Sequence, residues 1–341
     1  MPLFGILNIN KPAGMTSRRV VDRVARLARP AKVGHAGTLD PLATGVLIVG
    51  LGGATRLVEY VQRMPKRYRG EFLLGRESDT EDIEGNVVEL PLALDLPLPA
   101  GGGRGEGLPG DSSSSVDELS SGLRQASPER RRLAARIPTL EELIDAAAAL
   151  TGEIMQRPPA FSALHVAGRR AYDLARAGQT VELAPRPVNV YRLEVVAYQF
   201  PTLTLDIECS GGTYVRSLGR DLARAVGSGA VMSGLVRTAI GGFTLADAME
   251  LDSLTRESLP ARLQSPLTAL VGLPQLLLSD EQARRARQGL TFDPAVEVLS
   301  MSSTGGEGNE YKAIDAAGRL VAILAARADG VLAPSRTFAA E

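Results

Sequence analysis

Gly34-His35-Ala36-Gly37-Thr38-Leu39-Asp40-Pro41-Leu42-Ala43-Thr44-Gly45 runs directly into the apolar stretch Val46-Leu47-Ile48-Val49. Glycines allow turns that other residues resist, and Pro41 keeps Asp40 out of the helical region. The segment therefore presents one carboxylate from a stiff loop beside a buried strand. A lone Asp-Pro pair is also a common turn, with the aspartate capping backbone groups. Twelve ordered positions around a single carboxylate suit a catalytic group as well.

Around this loop the chain has 341 residues, enough to bury a large core and to divide into two domains. Its 44% hydrophobic and 23% charged residues are a globular balance. A single cysteine, Cys209, excludes an internal disulfide, and with two histidines no cluster suggests zinc. No basic-then-apolar leader opens the sequence and no apolar run is long enough to span a bilayer, so a cytoplasmic location is expected. The net charge of −1 excludes a uniformly basic nucleic-acid binder. Residues 1–76 nevertheless hold 13 Lys or Arg and 4 Asp or Glu, a local balance of +9. Acidic residues gather afterwards, from Glu77, Asp79, Glu81, Asp82 and Glu84. A basic lobe on a neutral protein can follow phosphates locally. Arg18, Arg19, Arg23 and Arg26 fit a solvated helix face equally well.

The pattern predicts a strand from Phe4 to Ile9, then a helix capped by Ser17 with Val20, Val21, Val24, Leu27 and Ala28 on one face. Val46 to Leu51 reads as a buried strand, Ala54 to Val61 as a short helix and Tyr68 to Leu74 as a strand. Residues 91–136 differ in kind: Ala100-Gly101-Gly102-Gly103, the serines Ser112 to Ser115 and Glu129-Arg130-Arg131-Arg132 form a low-complexity stretch. Too little apolar surface offsets its ordering entropy, so a flexible insertion is expected. An RNA-contacting arm through Arg130 to Arg132 is the alternative. Thr139-Leu140-Glu141-Glu142 is a capping box opening a helix to Leu150. Strands are expected from Ala160 to Val166, from Val188 to Phe200 and over the alternating Leu203, Leu205, Ile207 and Cys209. A helix follows from Thr213 to Val226, stopped by Gly227. A second capping box at Ser279-Asp280-Glu281-Gln282 opens a helix ending at Gly289. A hairpin is expected between Tyr311–Ile314 and Leu320–Leu324. With no regular βαβ repeat, the class is α+β.

Four further blocks accompany the Asp40 loop: Lys11-Pro12-Ala13-Gly14-Met15-Thr16-Ser17, Lys66-Arg67-Tyr68-Arg69-Gly70, Gly211-Gly212-Thr213-Tyr214-Val215-Arg216-Ser217-Leu218, and Leu235, Arg237, Thr238 with Phe243. In this order the five resemble the TruB family of bacterial pseudouridine synthases, which modify uridine 55 of tRNA, and they cover most of residues 1–245. The resemblance implies a mixed, largely antiparallel sheet with flanking helices and an active-site cleft. It implies a catalytic domain over 1–250, carrying the 91–136 insertion, and a small PUA-like RNA-binding β domain over 270–335.

Pseudouridine forms when the bond from uracil N1 to the ribose breaks, the base turns, and C5 joins the same ribose carbon. Breaking that bond resembles glycoside cleavage, in which a carboxylate meets an electron-poor sugar carbon. One carboxylate suffices, because the displaced base returns as the nucleophile, and no cofactor is implied. By resemblance Asp40 is that carboxylate, acting by addition to the sugar or through a glycal. Tyr68 stacks on the flipped base and moves a proton. Arg216 pairs with Asp40 and keeps it ionised. Tyr214 lines the uracil pocket beside Leu235, His35 holds the opened loop, and Lys11 is a further substrate contact. The implied partner is the tRNA T-arm, with no metal, no membrane, no obligatory protein partner, and a monomeric enzyme.

Three departures stand out. Phe161 and His165 replace a tyrosine and a lysine usual in the family, and Val236 stands where an arginine is usual; each bears on RNA affinity rather than on the reaction. Two other readings are a guide-RNA-dependent relative and a non-catalytic RNA-binding protein. The intact Asp40, Tyr68 and Arg216 set argues against the last.

Overall fold

The computed structural model describes residues 3–92, 135–159, 161, 165–166, 169–170, 183–291, 309–328 and 330–339. In chain order the elements are β1 (Gly5–Lys11), α1 (Ser17–Ala28), β2 (Val33–Ala36), β3 (Thr44–Leu51), α2 (Val58–Arg63), β4 (Lys66–Leu74), β5 (Arg76–Ser78) and β6 (Val87–Glu89). Next come α3 (Leu140–Ala149), β7 (Gly152–Gln156), β8 (His165–Val166), β9 (Arg169–Arg170), β10 (Arg186–Gln199), β11 (Thr202–Cys209), α4 (Val215–Ala225) and β12 (Ala230–Ile240). The last stretch adds β13 (Phe243–Thr244), β14 (Met249–Glu250), β15 (Gln275–Leu277), α5 (Asp280–Arg287), β16 (Glu310–Ile314), β17 (Leu320–Ala326) and β18 (Leu332–Thr337). The α+β class with a mixed sheet is the one expected. The chain forms two compact units, Met1–Tyr68 with Val236–Glu341, and Arg69–Leu235.

In the first unit β3 is central. It runs antiparallel to β1, from Gly5↔Leu51 to Lys11↔Gly45, and antiparallel to β2, from Val33↔Leu51 to Ala36↔Ile48. It meets β12 in parallel at Val236↔Thr44 and Arg237↔Gly45. Strand side chains alternate between faces, and here both faces are covered. Leu47, Val49 and Leu51 pack with Leu7, Ile9 and the stripe Val20, Val24, Ala28 of α1. Val46 and Ile48 face Ile6, Leu57, Val61, Ile240 and Phe338. A strand buried on both sides reads as an unbroken apolar run, which is why 46–51 was legible. The strand β2 was not foreseen: four residues including His35 carry no strand pattern, and pairing with β3 creates it. The cap of α1 also differs from expectation. Thr16 is the N-cap, its Oγ1 accepting from Arg19 N at 3.2 Å, while Ser17 is buried and turned elsewhere.

A four-stranded sheet, β15-β16-β17-β18, closes the first unit. The predicted hairpin is β16–β17, and α5 opens with the predicted Ser279–Gln282 capping box. Ala283 and Ala286 of α5 bury against Ala313, Val321, Ala322 and Leu324. Phe338 stacks on Phe4 at 5.4 Å between centroids, with the Arg56 guanidinium 4.7 Å from the Phe338 ring. Tyr60 donates to Glu310 at 3.0 Å and accepts from Arg336 at 2.6 Å. Burial and the Glu310 bond push the Tyr60 hydroxyl up to about 12, so it keeps its proton.

The second unit carries the strand order β12-β4-β11-β10-β7. In β11 Leu203, Leu205, Ile207 and Cys209 are all buried, as the alternation predicted. The Thr139–Glu142 capping box opens α3. Helix α4 lies on β4 through one close approach: a Cβ at Gly219 would stand 2.0 Å from the Phe72 ring, so the packing admits only glycine. The same helix ends at Gly227 (φ +73°), with Gly227 N on Arg224 O at 3.1 Å and Ser228 N on Ala223 O at 2.8 Å, a Schellman motif.

Of the expected insertion, 93–134 lies outside the described residues. Its ends meet. Leu92 and Ala135 form a parallel bridge, and Ala135 N donates to Pro91 O at 2.8 Å. Most of the strand expected from Ala160 to Val166 also lies outside the described residues; His165–Val166 pairs with Arg169–Arg170. Among the described residues no helix is long and apolar enough to cross a membrane.

Because the chain leaves and returns at one point, replacing residues 95–132 by a short Gly-Ser bridge should leave the melting temperature within about 2 °C of the parent. A fall of more than about 5 °C, or ~1–2 kcal/mol at this size, would show that the segment is packed.

Candidate active site

Asp40 opens a turn: Ala43 N donates to Asp40 O at 3.1 Å, with Pro41 at the second position. At Gly45 (φ +99°) a Cβ would stand 2.3 Å from Arg237 O, so this glycine lets β12 approach the end of the loop. Leu39 is buried and Asp40 half-buried, so the carboxylate side chain leaves a turn whose neighbours are held inside.

Three buried polar side chains hold them. Ser17 Oγ accepts from Leu39 N at 2.9 Å and donates to Leu39 O at 3.2 Å. Lys11, with no exposed surface, donates from Nζ to Pro12 O at 2.9 Å, Met15 O at 2.5 Å and Pro41 O at 3.1 Å. Gly14 N adds a bond to Pro41 O at 2.9 Å. Arg237, 1% exposed, donates from Nε to Val46 O at 2.7 Å and from Nη2 to Gly37 O at 3.2 Å. Leu39 and Pro41, the residues on either side of Asp40, are thus each bonded to a buried side chain. An ammonium carries three donors, and three carbonyls occupy those of Lys11. Lys11 thus clamps the loop from beneath.

His35 lies on β2, opposite Val49. Its buried Nδ1 meets no hydrogen-bond partner among the described residues. Burial holds its pKa below the usual imidazole value, the Gly37 backbone opposes this, and the positive Arg237 and Arg18 reinforce it. The ring is neutral at physiological pH. Tyr68 is half-buried and shares its face of β4 with buried Lys66. Lys66 Nζ donates to Met64 O at 2.7 Å and to Gln62 O, closing the carboxyl end of α2 just before Tyr68.

In the second unit Arg216 and Tyr214 sit at the start of α4. Arg216 is 8% exposed and donates from Nη1 to Thr80 O at 2.6 Å and from Nη2 to Phe161 O at 3.3 Å. The Asp82 carboxylate lies 3.4 Å from Nη1 and is itself held by Thr80 Oγ1 at 2.5 Å and Glu84 N at 3.1 Å. Beside it Glu81 (φ +63°) accepts from Ser217 Oγ at 2.7 Å and pairs with Arg220. A buried charge pair persists only with its remaining donors and acceptors satisfied, and loop 78–84 supplies those partners. Leu235 is buried on β12, and its Cδ1 would lie 3.7 Å from a Cβ at Gly70.

Of the sequence-predicted residues, Lys11, His35, Asp40 and Tyr68 belong to the first unit, and Tyr214, Arg216 and Leu235 to the second. Sequence reasoning missed Ser17 and Arg237 as loop anchors and Asp82 as a partner of Arg216. Ser17 and Arg237 lay inside quoted blocks. Asp82 stood in an acidic run whose signal was one of charge alone. Among the described residues no group of three or more His, Cys, Asp or Glu could hold a metal ion.

Comparison with known proteins matches residues 25–95 and 123–215 to the family described as TruB family pseudouridylate synthase, N-terminal domain. The chain is 39% identical to tRNA pseudouridine synthase B of Mycobacterium sp. strain KMS, over 85% of each chain. It is 35% identical to the protein of that name from Dehalococcoides mccartyi, over 98% of this chain and 96% of the other. Among solved structures, a chain of an H/ACA RNP bound to a substrate RNA containing 2'-deoxyuridine aligns over 99% of this chain and 86% of its own, with TM-score 0.65 and 21% identity, a likeness of fold.

Ser17→Ala removes both bonds to Leu39 and leaves a buried backbone N–H and C=O without their partner. Urea unfolding should show a loss of about 1–3 kcal/mol, the cost of unsatisfied buried groups. The Leu39 amide should exchange faster with solvent. An unchanged midpoint and unchanged exchange would mean that the serine does not anchor the loop.

Proposed function

The chain belongs to the TruB family of pseudouridylate synthases, and from that membership we propose that it isomerises uridine 55 in the T-arm loop of tRNA to pseudouridine, without guide RNA and with Asp40 as the essential carboxylate. Pseudouridylation of tRNA by a TruB-type enzyme is the activity of its relatives at 35–39% identity. The choice of Asp40 rests on one observation: Asp40 is the carboxylate of a turn anchored at Leu39 by Ser17 and at Pro41 by Lys11 and Gly14. A group that meets a developing positive charge works best when its position is fixed beforehand.

In this proposal the flipped uridine stacks on Tyr68, Tyr214 and Leu235 line its pocket, and Arg216 is the cation that serves the Asp40 carboxylate. Neutral His35 enters the space left by the base. Asp40 acts as the N1–ribose bond breaks, the uracil turns within the pocket, and C5 bonds to the same carbon. Electrons and atoms balance within the substrate, so no cofactor is required. Lys11 and Arg237 hold the catalytic loop. Residues 1–250 form the catalytic domain, and 270–335, with the four-stranded sheet, a PUA-like RNA-binding domain. The enzyme acts as a monomer on tRNA, without an obligatory protein partner.

Incubation of the purified protein alone with a tRNA transcript should yield pseudouridine at position 55. A requirement for added guide RNA or protein would favour the guide-dependent relatives, whose fold it shares. Asp40→Asn should abolish turnover and spare tRNA binding. Activity within about tenfold of the parent, ~1.4 kcal/mol of barrier, would remove Asp40 from the chemistry.

Tyr68 separates stacking from proton transfer. Tyr68→Phe should bind tRNA normally and lose product formation, whereas Tyr68→Leu should also bind more weakly, since stacking contributes roughly 1–3 kcal/mol. A fully active phenylalanine variant would leave Tyr68 as a platform only.

A further inference from the structure

Gln156 is the last residue of β7 and has no exposed surface. A buried primary amide is costly unless bonded, and both ends of this one are committed to a single residue. Its Oε1 accepts from Tyr214 N at 2.8 Å, and its Nε2 donates to Tyr214 O at 3.1 Å. Tyr214 is the N-cap of α4, and no side chain of its own caps the helix. An N-cap N–H has no partner within its own helix, so the Gln156 amide supplies one from outside. The Tyr214 carbonyl also accepts from Leu218 N at 3.0 Å, so both of its lone pairs are used. With its N–H and C=O held from one side, the tyrosine has its Cα–Cβ direction set.

The ring is held separately. The Arg186 guanidinium lies 5.0 Å from the centroid of the Tyr214 ring, and its Nη2 donates to Gly212 O, two residues before the tyrosine. Arg186 and Gln156 are directly opposite partners in the β10–β7 ladder. Directly paired residues project from the same face of a sheet. That face is the covered one: Val188 and Val190 of β10 share it and are buried, whereas Glu153 and Met155 of β7 point the other way and are exposed. One cross-strand pair therefore reaches one tyrosine twice, at its backbone and at its ring.

We propose that Gln156 and Arg186 are positioning residues for the uridine pocket, with Gln156 setting the backbone of Tyr214 and Arg186 covering one face of its ring so that the opposite face alone meets the base. The proposal rests on the assignment of Tyr214 to that pocket. A guanidinium stacked on an aromatic face is attracted by the ring quadrupole, and its bond to Gly212 O keeps it there. Small displacements of a group that orients substrate have large effects on the chemical step. Affinity for a whole tRNA comes mainly from many phosphate contacts. The pair should therefore govern kcat far more than KM.

The test is single-turnover and steady-state kinetics on a tRNA transcript with Tyr214→Leu and with Arg186→Met, Arg186→Lys and Gln156→Met, these three also in the Tyr214→Leu background. Arg186→Met keeps the aliphatic stem at a partly exposed position, so its melting temperature should match the parent. It should lose roughly tenfold or more in kcat with KM within about twofold. Arg186→Lys should recover part of that loss, because the charge returns without the planar stack. Gln156→Met should show the same kcat-selective loss, and neither change should matter once Tyr214 is leucine. Parental kcat in folded Arg186→Met and Gln156→Met, beside an impaired Tyr214→Leu, would overturn the positioning role. So would losses that add fully to that of Tyr214→Leu. If Tyr214→Leu itself turns over like the parent, Tyr214 lies outside the pocket and the underlying assignment fails instead.

Discussion

The first unit depends on the burial of two cations. Removing an ammonium or guanidinium from water costs several kcal/mol unless its donors find acceptors. Lys11 and Arg237 find theirs in backbone carbonyls: Pro12, Met15 and Pro41 for the lysine, Gly37 and Val46 for the arginine. Gly37 and Pro41 are the beginning and middle of the loop that carries Asp40, and Val46 lies just beyond it in β3. A different loop path would strand two charges in the core. The path of the Asp40 segment is thus tied to the stability of the sheet beneath it.

The second unit solves the same problem with different chemistry. The start of α4 is held by the neutral Gln156 amide at Tyr214, by the buried Asp82 carboxylate at Arg216 and by the half-buried Glu81 carboxylate at Ser217 and Arg220. Phe72 against Gly219 sets how closely the helix lies on its strand. A close-packed interface transmits small errors rather than absorbing them, so residues well away from Tyr214 can decide how the start of α4 is shaped.

Charge distribution follows the same economy. The chain is nearly neutral overall, with its excess of cations in residues 1–76. Of these, Lys11 and Lys66 are buried and serve the fold, and Arg23 pairs with Asp252. Arg18, Arg19 and Arg26 remain on the outer face of α1, opposite its apolar stripe. A count of basic residues therefore overstates the surface available to a phosphate backbone, because part of that charge is turned inward.

Local signals were legible in the sequence by itself because their causes are local. The run Val46 to Leu51, the alternation through Cys209, the capping boxes at Thr139 and Ser279 and the stop at Gly227 each depend on a few neighbouring residues, and each has its counterpart in the structure. The motif blocks carried the family, and with it the class of reaction. Tertiary structure alone decided what depends on distant partners. It made Thr16 rather than Ser17 the cap of α1, because Ser17 meets Leu39, 22 residues away. It made β2 a strand, because β3 offered it a free edge. It set Lys11 against the carbonyls of Pro12, Met15 and Pro41 and brought Asp82 to Arg216. A residue's type limits what it can bond, but only the fold determines which backbone groups come within reach, and a buried polar side chain takes its role from them.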